Sequence, residues 1–390
     1  MFFNGRLAMP LLRRENVRHA TLLFRAEGVN VRTTGAGEGV MRQMQYDEDG
    51  LREILRENPF ANVVAKWGEA LTQFDHGKID KSQLQLLVDG DRDWVEKCER
   101  KGEEENFKFH FELIPDVFRG DPRAPVWILL LNPGFSDIDL YDHLGLCPFC
   151  EKRLVTVHDS GSKPLCECAH AWMGSDLSNP VDALRFRQEA MLKQLELAVD
   201  EESGNYAWFD GRFRTIAPAK REKVGKGGYW WWKEFLFGPE RSRAKYLFRE
   251  CGIREDSETL GRKFFALDAF PYHSKNFNCG IFNRQEYQVS PYFMFWKRLV
   301  EWALGSGRKL VVRYKAVLKI LKGNIDKQVW EARKDNVYLM PSQMPYLTVN
   351  NINIQGPNTK ANKRKALDEL RAAWLVAEQE TTLQRNLNCM

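Results

Sequence analysis

Residues 126–135 read Val-Trp-Ile-Leu-Leu-Leu-Asn-Pro-Gly-Phe, six apolar positions without a polar interruption followed by an abrupt turn. A strand that is apolar at every position is buried on both faces, which predicts a parallel sheet with helices on either side. Further apolar strand candidates recur at residues 263–268, 309–313 and 337–340, separated by helical spacing at 291–304 and 315–321. Alternating strands and helices predict an α/β chain, a three-layer α/β/α sandwich with a largely parallel central sheet. Such sheets bind ligands beyond the carboxyl ends of their strands, so the residues that follow each strand carry the functional information.

The rest of the pattern frames that core. Within residues 47–101, Leu51, Ile54 and Leu55, and later Leu84, Leu86, Leu87, Trp94 and Val95, fall on stripes, so residues 1–106 are expected to be a mostly helical cap or extension. Residues 107–115 alternate, and Phe118-Arg119-Gly120-Asp121-Pro122 reads as a turn-rich lead into the first core strand. The α/β/α domain is expected over residues 107–356, with a helix near 180–199 and inserts at 143–170 and 205–250. Residues 357–390 supply a C-terminal amphipathic helix, at 360–378, and a tail.

Composition narrows the class. A hydrophobic content of 43% supports a globular core, and no apolar stretch approaches the roughly 18 residues a membrane span needs. The first six residues lack the basic-then-apolar layout of a secretory signal, so a cytoplasmic location is expected. The net charge of +5 is small but uneven: residues 211–250 carry eleven Lys and Arg against four Glu. There Arg221, Lys223 and Lys226 precede Gly-Gly-Tyr-Trp-Trp-Trp, and basic groups interleaved with planar rings suit a nucleic acid.

Four of the eight cysteines cluster as Cys147-x-x-Cys150 and, fifteen residues on, Cys166-x-Cys168. In a cytoplasmic chain this spacing predicts a metal rather than disulfides, structural zinc first and an iron–sulfur cluster as the alternative. The metal is expected to shape a loop near the first turn and to take no part in the reaction.

Three strand candidates end in polar turns: Asn132-Pro133-Gly134-Phe135, Asp268-Ala269-Phe270-Pro271-Tyr272-His273 and Met340-Pro341-Ser342-Gln343. In a parallel sheet these turns share one edge. The set resembles the uracil-DNA glycosylase superfamily over residues 107–356. With Asn-Pro-Gly first and Met-Pro-Ser last, it is most similar to the mismatch-specific uracil and thymine glycosylases. The resemblance implies a monofunctional DNA glycosylase that flips a pyrimidine out of double-stranded DNA and leaves an abasic site. Asn132 would then orient the attacking water, since an amide does not titrate and cannot act as a strong base; as a plain sequence feature it is equally a turn cap.

Gly134 stands where uracil-restricted relatives place a tyrosine that blocks substituents on carbon 5 of the pyrimidine. Its absence opens the pocket, although a glycine also serves a positive backbone angle. Phe135 would stack on the flipped base or simply pack in the core. Asp268 replaces the Asn that usually reads the base edge. An ionised Asp only accepts hydrogen bonds, which favours a C5-substituted cytosine, hydroxymethylated or glycosylated, over uracil, the alternative being a turn cap. Tyr272, His273, Met340 and Ser342 complete the expected substrate contacts, with Ser342 on a DNA phosphate and His273 as an acid, a phosphate contact or a solvent-facing residue. Gln343, Met344, Tyr346 and Leu347 would form the wedge entering the duplex. Defence against phage with modified DNA is a setting such an open pocket would suit. A repair glycosylase acting on uracil or thymine mismatches and a non-catalytic nucleic-acid-binding protein are the rivals. A free-nucleotide enzyme is disfavoured because Gly35-Ala36-Gly37-Glu38-Gly39 lacks the Lys-Ser/Thr of a phosphate loop.

Overall fold

The structure, a computed structural model, describes residues 45–92, 94–95, 109–115, 117–135, 144, 195, 263–274, 277, 279–340, 347–349 and 351–388. Apart from Leu144 and Leu195, both inserts and the expected helix near 180–199 lie outside the described residues, as do the first 44 residues.

The chain is a mixed α/β protein. Among the described residues five strands form one sheet: β1 (Phe118–Gly120), β2 (Val126–Leu130), β3 (Phe264–Asp268), β4 (Lys309–Val312) and β5 (Val337–Leu339), in the order β1-β3-β2-β4-β5. All neighbours are parallel except β1, which runs antiparallel to β3 at the edge. The register places Leu130 opposite Asp268 and Leu129 opposite Val312.

Strand alternation divides the buried residues between the two faces. Trp127, Leu129, Phe265, Leu267, Leu310 and Val312 share one cluster with the helices α1 (Glu48–Arg56), α2 (Ala61–Asp75) and α3 (Pro291–Gly305). Val126, Ile128, Leu130, Phe264, Ala266 and Val311 share the other with Leu370 and Trp374 of α6 (Lys360–Asn388). The central strands are buried at every position but Lys309, as expected for a sheet covered on both sides. Between β4 and β5 lie α4 (Lys315–Asn324) and α5 (Lys327–Arg333).

Local chemistry explains the helix starts. The Asp47 carboxylate caps α1 by accepting from the Gly50 amide at 2.9 Å, with Glu48 and Asp49 in the first turn. Ser290 caps α3 by accepting from Phe293 N–H at 3.2 Å, and Pro291 occupies a first-turn position whose missing N–H costs nothing. Gly307, at φ +86°, adopts the left-handed geometry that turns the chain into β4.

Three expectations change. The edge strand forms at Phe118–Gly120 rather than within residues 107–115, because the Val117–Gly120 backbone pairs with β3 while His110 makes only an isolated bridge to His273. Leu84, Leu86 and Leu87 are buried in irregular chain, not in a helix, with Leu86 N–H donating to Phe111 O at 2.8 Å. The helices before residue 106 belong to the same compact unit as the sheet, so no domain boundary separates them from it. Among the described residues no helix is long and apolar enough to cross a membrane.

Candidate active site

The chain leaves β2 for β3 on one side and returns to β4 on the other, so the strand order reverses at β2. In open α/β sheets this reversal opens a crevice at the carboxyl ends of the strands concerned, here those of β2 and β4. The turn after β2 is Asn132-Pro133-Gly134-Phe135.

Backbone pairing carries the β2 and β3 loops past the sheet edge together. Ala269 N–H donates to Leu130 O at 3.1 Å, Phe270 N–H to Leu131 O at 2.9 Å and Ser274 N–H to Pro133 O at 3.3 Å. The first two sequence motifs are therefore one structure. The third strand tip reaches the same edge, where Met340 N–H donates to Val312 O at 2.8 Å.

Asn132 is half-buried. Its Nδ2 lies 2.7 Å from Pro133 O, 3.0 Å from Ser274 Oγ and 3.5 Å from Ser274 O. Two of these are carbonyl oxygens that cannot donate, so the group facing them must be the amide NH2, and this fixes which end of the carboxamide is which. Oδ1 points the other way, and no described residue donates to it. It is an acceptor whose direction is set by the NH2 contacts.

Gly134 is exposed, its φ lies outside the left-handed region, and a Cβ built on it would meet nothing within 4 Å. Backbone geometry does not demand glycine here, and the space a side chain would fill is open. Phe135 is half-buried and stacks on the His110 imidazole with centroids 3.6 Å apart and planes 9° from parallel. One ring face is therefore already covered, and the ring also packs against the core. His110, absent from the sequence-based site, is held through Nδ1 by Glu112 Oε1 at 2.8 Å.

Asp268 is 2% exposed at the last position of β3, level with Leu130. Its amide donates to Val117 O at 3.1 Å and its carbonyl accepts from the Tyr292 hydroxyl. Alternation puts its side chain on the α6-facing side of the sheet. On β4, Arg313 continues the ladder through its N–H to Leu129 O at 3.0 Å and is 4% exposed; burial pulls its guanidinium below the usual arginine range. A cation ending an apolar strand was the signal for Arg313, and it bears on the site because its strand borders the crevice.

Several expected contacts are corrected. Tyr272 is buried, its hydroxyl donating to Asp91 Oδ2 at 2.6 Å and accepting from Val88 N–H at 3.1 Å, so it braces the loop from beneath instead of meeting a substrate. His273 is buried rather than solvent-facing. Its Nδ1 lies 2.7 Å from Gly134 O and its Nε2 3.1 Å from Ile114 O, which commits the ring to the scaffold and not to acid catalysis or a phosphate. Met340 is fully buried, and Leu347, 2% exposed, packs with Val126, Ile128 and Trp374, so neither meets DNA. Ser342, Gln343, Met344, Tyr346, Arg221, Lys223, Lys226 and the cysteines Cys147, Cys150, Cys166 and Cys168 lie outside the described residues.

No family model, curated protein or solved structure matches this chain. Function is accordingly read from the site itself.

Beneath the second loop sits an aromatic nest around Asp91. The carboxyl is fully buried and raised from 3.8 to about 6, with burial the main cause and the Trp94 and Tyr272 side chains opposing it. Tyr287 and Tyr292 donate to the carbonyl oxygens of Ala269 and Asp268, and burial pushes both phenols well up. The loop that carries Ser274 therefore rests on a rigid base.

Proposed function

We propose that this chain is a monofunctional DNA glycosylase of the uracil-DNA glycosylase-like α/β/α type, acting on a C5-substituted cytosine in double-stranded DNA. The observation that carries the proposal is the Asn132 carboxamide, locked by its NH2 with its oxygen open at the sheet's reversal point, beside the unobstructed Gly134.

In the reaction the bond between the base nitrogen and C1′ breaks and its electron pair leaves with the base. The water held by Asn132 Oδ1 bonds to C1′, and its proton passes to solvent or to the released base. Asn132 supplies position, not proton abstraction, so its contribution comes from orienting the water against an electron-poor sugar. Asp268, buried at the tip of β3, would have to turn toward the base to offer its carboxylate to the exocyclic amine of cytosine and to a protonated ring nitrogen, a protonation that eases the base's departure. Phe135, beside the same turn, would stack on the flipped base through the face opposite His110. Four thiolates from Cys147, Cys150, Cys166 and Cys168 form a donor set suited to structural zinc, with an iron–sulfur cluster as the alternative, and no step of the reaction passes through it.

The test uses DNA duplexes carrying uracil, a thymine mismatch, hydroxymethylcytosine or glycosylated cytosine, incubated with the full chain and then treated with alkali. Breaks at the substituted cytosines that form far more slowly with Asn132→Ala support the proposal. Breaks only at uracil or mismatched thymine assign a repair glycosylase instead. DNA binding without breaks on any duplex refutes catalysis and leaves a binding protein.

A further inference from the structure

We propose that Ser274 is the positioning residue for the Asn132 carboxamide, an inference that rests on the glycosylase function above. An amide NH2 has two hydrogens, and here one is directed to Pro133 O at 2.7 Å and the other to Ser274 Oγ at 3.0 Å. The Ser274 carbonyl, at 3.5 Å, is too distant to replace the hydroxyl. Pro133 O forbids the flipped amide, because it would then face another oxygen. One acceptor alone still leaves the side chain free to swing about that contact. The Ser274 hydroxyl removes that freedom and fixes the direction in which Oδ1 points.

Ser274 is itself buried, 1% exposed, and its place is set by its neighbours in sequence. Tyr272 is tied to Asp91 and Val88, while His273 contacts Gly134 O and Ile114 O through its ring and accepts from His110 N–H at 2.9 Å through its carbonyl. The Ser274 amide then donates to Pro133 O. Three consecutive residues thus transmit the rigidity of the core to one hydroxyl. Among the described residues, the one hydrogen-bond partner of that hydroxyl is the residue that would hold the water.

The consequence is kinetic. Loss of one neutral hydrogen bond that orients a reacting group lowers the rate by about tenfold, and because Ser274 does not touch the base it leaves KM unchanged. Ser274→Ala is expected to reduce kcat about tenfold on a substituted-cytosine duplex, and Ser274→Thr, which keeps the hydroxyl, to restore most of it. In an Asn132→Ala background, Ser274→Ala should cost nothing further, since the group it positions is gone. Thermal unfolding of each variant accompanies the kinetics. Should Ser274→Ala fail to fold, Ser274→Cys keeps the volume with a weaker acceptor and is expected to fall between wild type and Asn132→Ala in kcat. A kcat within twofold of wild type in the folded Ala or Cys variant, or an undiminished loss in the Asn132→Ala background, overturns the inference. If wild type is active and Asn132→Ala is severely impaired while Ser274 variants are normal, only this inference fails. A wild type inactive on every duplex overturns it together with the glycosylase function.

Discussion

Asp91→Asn should remove a destabilisation of this protein that sets in as pH rises from 3.8 through about 6. Asp91 lies fully buried beneath the second motif loop, and its carboxyl is raised from 3.8 to about 6 because burial penalises the charged form. A group whose folded value exceeds its unfolded value binds its proton more tightly when folded. Its stabilisation is complete below pH 3.8 and is lost as pH rises through about 6. The interval between those values spans roughly two pH units, each worth about 1.4 kcal/mol, so ionising Asp91 costs the fold about 3 kcal/mol by pH 7. Asn takes no part in this titration, yet its side-chain oxygen can still accept from the Tyr272 hydroxyl. Urea unfolding of wild type and variant at half-unit steps from pH 3.5 to 8 isolates the effect, since all other titrating groups are common to both. The difference in unfolding free energy should move by about 3 kcal/mol in favour of Asn across that range and then level off. Parallel curves would show that Asp91 titrates no differently folded and unfolded, and would refute the assignment of a buried, desolvated carboxyl.

Further substitutions test other parts of the structure. Gly134→Tyr should fold with an unchanged melting temperature, because its φ is ordinary and its Cβ meets nothing within 4 Å, while excision of glycosylated cytosine falls more than tenfold; retained excision would remove the openness of this position as the basis of substrate choice. Trp374→Ala, which empties the centre of the α6-facing cluster and removes the ring under the Lys263 ammonium 4.5 Å away, should lower stability by about 3–5 kcal/mol in chemical denaturation, and a loss below 1 kcal/mol would mean that α6 is not held there. Elemental analysis of the purified protein should find about one zinc per chain, lost in a Cys147→Ser, Cys150→Ser double variant, whereas iron in place of zinc would assign the cluster.

Much of the fold was legible in the sequence because a buried parallel strand advertises itself. Residues 126–131, 264–268, 309–312 and 337–339 are apolar runs bounded by turns, and the Ser290-Pro291 start of α3 states its own cap. The edge strand was missed because three residues pairing on one side only, one of them glycine, look like a turn. Leu84, Leu86 and Leu87 misled because periodicity reports burial, and an irregular chain laid over a core buries its residues as well as a helix does. Within the site, the placement of Asn132 and Gly134 at a strand tip could be read because it belongs to their own turn. Asp91, His110 and Ser274 could not, since each matters only through a partner brought from far along the chain. Leu347, Tyr272 and His273 were misplaced for the converse reason: an aromatic, apolar or imidazole side chain near a motif looks like a ligand contact until its burial and partners are known.

The anchoring of Tyr272 to Asp91 and of Trp302 to Asp47, whose carbonyl accepts from the indole at 2.7 Å, sets a limit on how short a working version of this protein can be made. A version trimmed to begin at residue 107, where the strand pattern starts, would discard the props of its own second loop and expose the aromatic rings they cover. Anyone shortening the chain for crystallisation should cut upstream of Asp47.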